Sequence, residues 1–367
     1  MIDYRIENLA DIVTNYSVNI KKGNFVFING TELSLPLVKS VYKRVLEKGA
    51  HPELKVDVEG INEIFYKNAS KKQLEYISEI RKYIIENADI IIHIRGGWNT
   101  KSLSNILPEI ISTNRKAMTP LMKTQMERSA NGELQWILTQ FPTHSGAQES
   151  DMSLCEYEDF VFGACFADKE DPIGNWQKLS KEQERYVKML NRKDLFHIEG
   201  QGTDLYIRAK GRKWINSDGK HNMPSGEVFT APIEESINGK ITFGFPAIYN
   251  NREVIGVCLE FKDGKVVKAT SEKGEDFLKA MINMDKGARY VGEFAFGLNY
   301  GVQKFTKNIL FDEKIGGTMH MALGAAYPEC GGKNESALHW DMILDLREDG
   351  RVTADGEVIF EKGKFII

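Results

Sequence analysis

Cysteine is scarce in this sequence. The four present, Cys155, Cys165, Cys258 and Cys330, never form a C-x-x-C pair. That spacing speaks against a disulfide framework or a thiolate zinc site and leaves an expectation of free, mostly buried thiols. A basic surplus is missing too: the net charge is −4 and the pI about 6.1, which offers no footprint for nucleic acid or an anionic membrane. No run approaches the roughly 20 apolar residues of a membrane span. The opening "MIDYRIENLADIVTNY" lacks a basic segment followed by an apolar stretch, so no signal peptide is expected. These absences predict a cytoplasmic protein with neither nucleic acid nor membrane as partner.

Several familiar catalytic motifs are also lacking. Neither G-x-S-x-G nor H-E-x-x-H occurs, which removes the serine-hydrolase elbow and the helical zinc-protease site. "RGGWNTKS" (95–102) follows a strand-like run, but Thr100 stands where a phosphate loop needs glycine, so a strand-to-helix turn is expected. "EGQGTDL" (199–205) has one G-x-G and lies between two strand-like runs, not before a helix, so it does not suit dinucleotide binding.

With 367 residues, 42% of them hydrophobic, the chain can bury a large core and is long enough for two domains. The first part alternates helix and strand: a helix over about 3–16, strands at "NFVFI" (24–28), "LKVDV" (54–58) and "DIIIHI" (89–94), and helices at 35–50 and 70–88. The β-branched "DIIIHI" suits a buried parallel strand. After the turn-rich "QFPTHSGAQESDMS" comes a helical region, about 153–190, interrupted by "DKEDPIGN". Strands and turns then dominate, including a hairpin turning at Asp263-Gly264. The expected architecture is an α/β N-terminal domain with a mostly parallel sheet over residues 1–150. An α+β metal-binding catalytic domain follows over residues 151–367.

The residues that carry chemistry lie in that second part. Side chains alternate between the faces of a strand. In "ALHWDMILD", Leu338, Trp340, Met342 and Leu344 share one face, and His339 and Asp341 the other. In "GTMHMALG", Met319, Met321 and Leu323 oppose His320. In "VGEFAFG", Phe294 and Phe296 oppose Glu293, which is expected beside Val291 and Ala295. "PSGEVFTAP" starts a strand at Glu227 just after a Pro/Gly turn. If these strands adjoin, two imidazoles and three carboxylates converge against bulky apolar faces. Any one of them alone suits a solvated or hydrogen-bonded side chain. Together and buried they cost several kcal/mol each unless paired or bound to a cation. No Arg or Lys sits in these strands, so the expected counter-charge is metal.

Carboxylates and imidazoles without thiolate suit zinc, cobalt, manganese or magnesium. Five ligands exceed one four-coordinate ion and fit two ions sharing a carboxylate. Two such ions, about 3.5–4 Å apart, activate a water and polarise a carbonyl or phosphoryl oxygen. Tyr327 in "GAAYPE" is a candidate oxyanion donor, Glu313 in "LFDEKIGG" is a further ligand or a general base, and either Glu293 or Glu313 is expected to handle the proton. Hydrolysis of an amide, ester or phosphate is thereby open. So is a non-catalytic, metal-stabilised binding protein.

The blocks "FPT", "MSLCEYEDF", "GTDLYI", "NMPSGEVFTAP", "KGARYVGEFAFG", "LFDEK", "HMALGAAYP" and "NESALHWDMI" occur in an order that resembles the M29 metallopeptidases, the aminopeptidase T/aminopeptidase S family. The resemblance covers most of the chain and is dense from about Phe141 onward. It implies a cytosolic homodimeric exopeptidase that takes peptides with a free N-terminus and works through two metal ions. It places ligands at Glu227, Glu293, His320, His339 and Asp341, with Glu293 bridging both ions, and the family's tyrosine at Tyr327. The run "DEKIGGTMH" is longer than many members carry, and the segment between "YPECGG" and "KNES" is short.

Overall fold

A computed structural model describes residues 3–250 and 252–366. The chain divides into two compact units: Met1–Ile173 with Gly219–Met223, and Gly174–Asp218 with Pro224–Ile367. The first therefore extends past the expected boundary at 150. Helix Leu154–Ala164 belongs with it: Arg5 donates to Asp159 at 2.5 Å, and the Arg5 guanidinium lies 4.7 Å from the Phe162 ring centroid.

The first unit holds a five-stranded, wholly parallel sheet. Its order is His51–Asp57, Phe25–Thr31, Ile90–Arg95, Gln135–Gln140 and Asn222–Met223. Ile90, Ile91, Ile92 and Ile94 are all buried, as a central strand covered on both faces requires. The expected N-terminal helix runs as an α-helix over Tyr4–Asp11 and continues as a π-helix over Ile12–Ser17. The single helix expected over 70–88 is two, Lys71–Leu74 and Glu79–Asn87. The carbonyl of Leu74, free at the end of the first helix, accepts from the Asn114 side chain at 2.7 Å. "RGGWNTKS" leaves the strand at Arg95 and continues as loop and turn, and the next helix starts only at Pro108, so no helix N-terminus follows Lys101. Among the described residues no helix is long and apolar enough to cross a membrane. Cys165 and Cys330 are buried, and Cys155 is exposed.

The second unit holds an eight-stranded antiparallel sheet and a five-stranded antiparallel sheet. The latter runs His339–Asp345, Thr318–Gly324, Val291–Gly297, Glu227–Thr230, Ile215–Ser217. Its apolar face joins a core with the larger sheet: Phe294 meets Phe196 edge-on at 5.4 Å and Trp214 at 5.3 Å, and Phe296 meets Phe360 at 5.2 Å. Leu338, Trp340, Met342, Leu344, Met319, Met321 and Leu323 all lie in this core, as their alternation predicts.

Phe294 is completely buried. Phe294→Ala is expected to cost about 3–5 kcal/mol in urea unfolding. A loss under about 1 kcal/mol would mean that this face does not carry the unit's packing.

Candidate metal centre

The opposite face of the five-stranded sheet is where the candidate ligands meet. Cross-strand register sets the geometry. Glu293 faces Ala322, and Ala322 faces Asp341, so the two acids flank an alanine across three strands. His320 lies opposite Ala295 on one side and Ile343 on the other, and His339 lies opposite Gly324. Glu227 pairs with Gly297. Small residues thus occupy the positions between the ligands and leave room for them.

Strand Val291–Gly297 departs from simple alternation. The register shifts between Val291 and Glu293, a β-bulge at Gly292. Strict period two would put Val291 on the face of Glu293; because of the bulge, Val291 joins the core instead. The bulge aims Glu293 at the centre while both neighbours pack. Gly226, at φ +113°, makes the turn that delivers Glu227 to its strand, where a Cβ would lie 2.7 Å from that of Asn299.

All five candidate ligands come together, and Glu313 comes with them. Ligand atoms of Glu227, Glu293 and His320 lie within 4.8 Å of one another. The same holds for Glu293, His339 and Asp341, and for Glu313, His320 and Asp341. Glu293 is common to the first two groups. Its Oε1 is 3.6 Å from His320 Nε2 and its Oε2 is 3.3 Å from His339 Nε2. Glu227 Oε2 is 3.6 Å from His320 Nε2, and Asp341 Oδ1 is 3.7 Å from His339 Nε2. Most of these separations are charge contacts too long for hydrogen bonds. Glu227 Oε2, both ring nitrogens of His320 and Asp341 Oδ1 are buried with no hydrogen-bond partner. Orphaned polar atoms cost about 1–3 kcal/mol each. Their convergence, and their oxygen and nitrogen chemistry, fit divalent cations.

The surroundings orient the donors. His339 Nδ1 lies 2.9 Å from the Ala325 carbonyl, which accepts its N–H and leaves Nε2 facing Glu293 and Asp341. Gln183, fully buried, donates to the backbone carbonyl of Glu227 at 2.9 Å and pins that strand's start. The ring of Tyr327 stands edge-on to His339, 5.3 Å between centroids. The Glu293 charge, with burial, pushes its phenol well above the ordinary range, so it stays a proton donor.

Sequence reasoning missed Lys314. It lies in the loop before strand Thr318–Gly324, fully buried, with Nζ 2.6 Å from Glu227 Oε1 and also bonded to Glu313 Oε1. The strands themselves hold no cation, but this loop delivers one. The signal available was a lysine adjoining a candidate ligand in "FDEK". One ammonium does not balance four carboxylates. Burial and the charges of Glu313 and Glu293 raise Asp341 to about 6 despite the pull of His339. Burial, with Glu227 and Glu293 adding to it, raises Glu313 against the pull of Lys314. Burial would also raise Glu293, yet the His320 and His339 imidazoles hold it at about 2. Burial disfavours both imidazolium ions, but their carboxylate neighbours prevail, raising His320 to about 9 and His339 to about 10.

This donor set is of the kind that holds divalent ions for hydrolysis. Residues 2–365 match the family described as thermophilic metalloprotease (M29), and the chain belongs to that family. It is similar to aminopeptidase 2 of Geobacillus stearothermophilus, 29% identical over 98% of this chain and 97% of that one. It is also similar to aminopeptidase T of Thermus thermophilus, 26% identical over 99% of this chain and 98% of that one. The solved structure of wild-type AmpT from Thermus thermophilus shares the fold, with a TM-score of 0.86 at 23% identity over 99% of each chain.

The raised imidazoles set a pH dependence for chelator-treated protein. Their pKa values in the folded state exceed the unfolded value of about 6.5. The stability they confer is therefore fully present below that pH and lost as pH rises through about 9 to 10. Thermal unfolding of the chelated protein should fall in midpoint between about pH 7 and pH 10. A midpoint that climbs across this interval would contradict the ion-pair geometry.

Proposed function

We propose that this M29 metalloprotease is a metal-dependent aminopeptidase, releasing N-terminal residues from peptides. The observation that supports it most is the convergence of Glu227, Glu293, His320, His339 and Asp341 on one sheet face, with Glu293 placed between Glu227 with His320 and His339 with Asp341. In this reading Glu227, Glu293 and His320 hold one divalent ion, and Glu293, His339 and Asp341 hold the other. Zinc, cobalt, manganese and magnesium all suit the set. When bound, the two ions supply the positive charge that polarises the scissile carbonyl and acidifies a water.

The protein's own groups do the rest. Glu293 would be the ligand that the two ions share. Glu313, raised by burial, takes the proton and passes it to the leaving amine. Tyr327 donates its phenolic hydrogen to the developing oxyanion. The substrate's free α-amine pairs with the anionic rim of the site, which accounts for cleavage from the end. The names of the aminopeptidase relatives support the same substrate class. We also propose that the protein acts in the cytoplasm as a homodimer.

Glu293→Gln should reduce peptide hydrolysis at least about 1,000-fold while circular dichroism shows the fold intact. Near-normal turnover in that variant would refute the bridging role. Tyr327→Phe should lower kcat by about 100- to 1,000-fold with a much smaller change in KM. On a mixed peptide library, free N-termini should be cut and N-acetylated ones spared. Cleavage of both alike, or of phosphodiesters instead, would overturn the aminopeptidase reading.

A further inference from the structure

The two ligand groups that share Glu293 are not electrostatically alike. Lys314 Nζ sits 2.6 Å from Glu227 Oε1 and also bonds Glu313, with no exposure to solvent. No lysine or arginine forms an ion pair with Glu293, His339 or Asp341 among the described residues. We infer that Lys314 is a positioning residue that makes the two cation positions unequal. The Glu293–His339–Asp341 position binds tightly, and the Glu227–Glu293–His320 position binds more weakly and exchanges. This rests on the reading of the centre given above.

The reason is simple electrostatics. A buried ammonium already satisfies one oxygen of Glu227, and like charges repel strongly where water is excluded. An ion at Glu227 must share that carboxylate with Lys314. An ion at His339 and Asp341 meets no fixed cation on its own ligands. The backbone enforces the arrangement. A Cβ on Gly297 would lie 2.3 Å from the Ile315 carbonyl and 3.1 Å from that of Glu313. Only glycine at that point of the strand lets the Glu313–Ile315 segment lie this close, and the Lys314 side chain has no route to solvent. Its ammonium is therefore a fixed part of the centre and not a surface charge that swings aside.

The test is equilibrium dialysis of the full-length protein against buffered free Co²⁺, with bound cobalt per chain counted by elemental analysis. Wild type should fill in two steps at least about tenfold apart. Lys314→Met should tighten the weaker step at least about tenfold and leave the tighter step nearly unmoved. Lys314→Arg, which keeps the charge, should preserve the gap. Asp341→Asn should weaken the tighter step. Should the methionine variant fail to fold, Lys314→Gln keeps a hydrogen bond without the charge and carries the same expectation. Two equal steps in wild type, or a gap unchanged when the charge is removed, would overturn the role of Lys314. Absence of cobalt at any concentration would instead strike the metal-centre reading itself, so the two failures are distinct.

Discussion

Four carboxylates crowd into one nearly dry site, three on a single sheet face and Glu313 on the loop before strand Thr318–Gly324, and the rest of this protein's design follows from keeping them there. Glu227 and Glu293 are nearly solvent-free, and Asp341 and Glu313 are mostly covered. Such a concentration of negative charge is unstable in a medium of low effective dielectric. Two imidazoles and one ammonium are the positive charge that the chain itself contributes. The carboxylates in turn raise the proton affinity of both imidazoles. A cation held by His320 and His339 would displace their protons, so ion uptake would be linked to proton release.

The sheet is built to withstand that tension. Its reverse face is aromatic and methionine-rich and locks into a core with the eight-stranded sheet. The side chains that bear charge therefore sit on strands whose positions are over-determined from behind. On the front, Ala295, Gly297, Ala322 and Gly324 space the ligands, and the bulge at Gly292 turns Glu293 inward. The Ala325 carbonyl and Gln183 add hydrogen bonds that fix one imidazole and one strand end. Rigid elements with a supporting layer of this kind are what a precise ligand geometry requires.

Much of this is legible from alternation alone. Period two puts Leu338, Trp340, Met342 and Leu344 on one side and His339 and Asp341 on the other. Short β-branched runs mark the buried parallel strand at Ile90–Arg95. What escapes depends on contacts between distant segments. The bulge exists only relative to the register of the neighbouring strand, so alternation assigns Val291 to the wrong face. Lys314 lies outside any strand, and no periodicity directs a loop lysine inward. The break near Leu74 has its freed carbonyl taken up by the side chain of Asn114, forty residues later. Helix Leu154–Ala164 is largely apolar, which shows that it is packed but not which unit packs it. The candidate ligands are easier to find than the fold boundaries because the cost of burying charge makes them conspicuous.

The central claim is that Glu227, Glu293, His320, His339 and Asp341 jointly hold two cations. Anomalous X-ray diffraction from crystals grown with manganese tests it directly. Two adjacent anomalous peaks are expected, both in contact with Glu293, one reaching Glu227 and His320 and the other His339 and Asp341. A single peak touching none of these side chains, or peaks confined to the molecular surface, would contradict it.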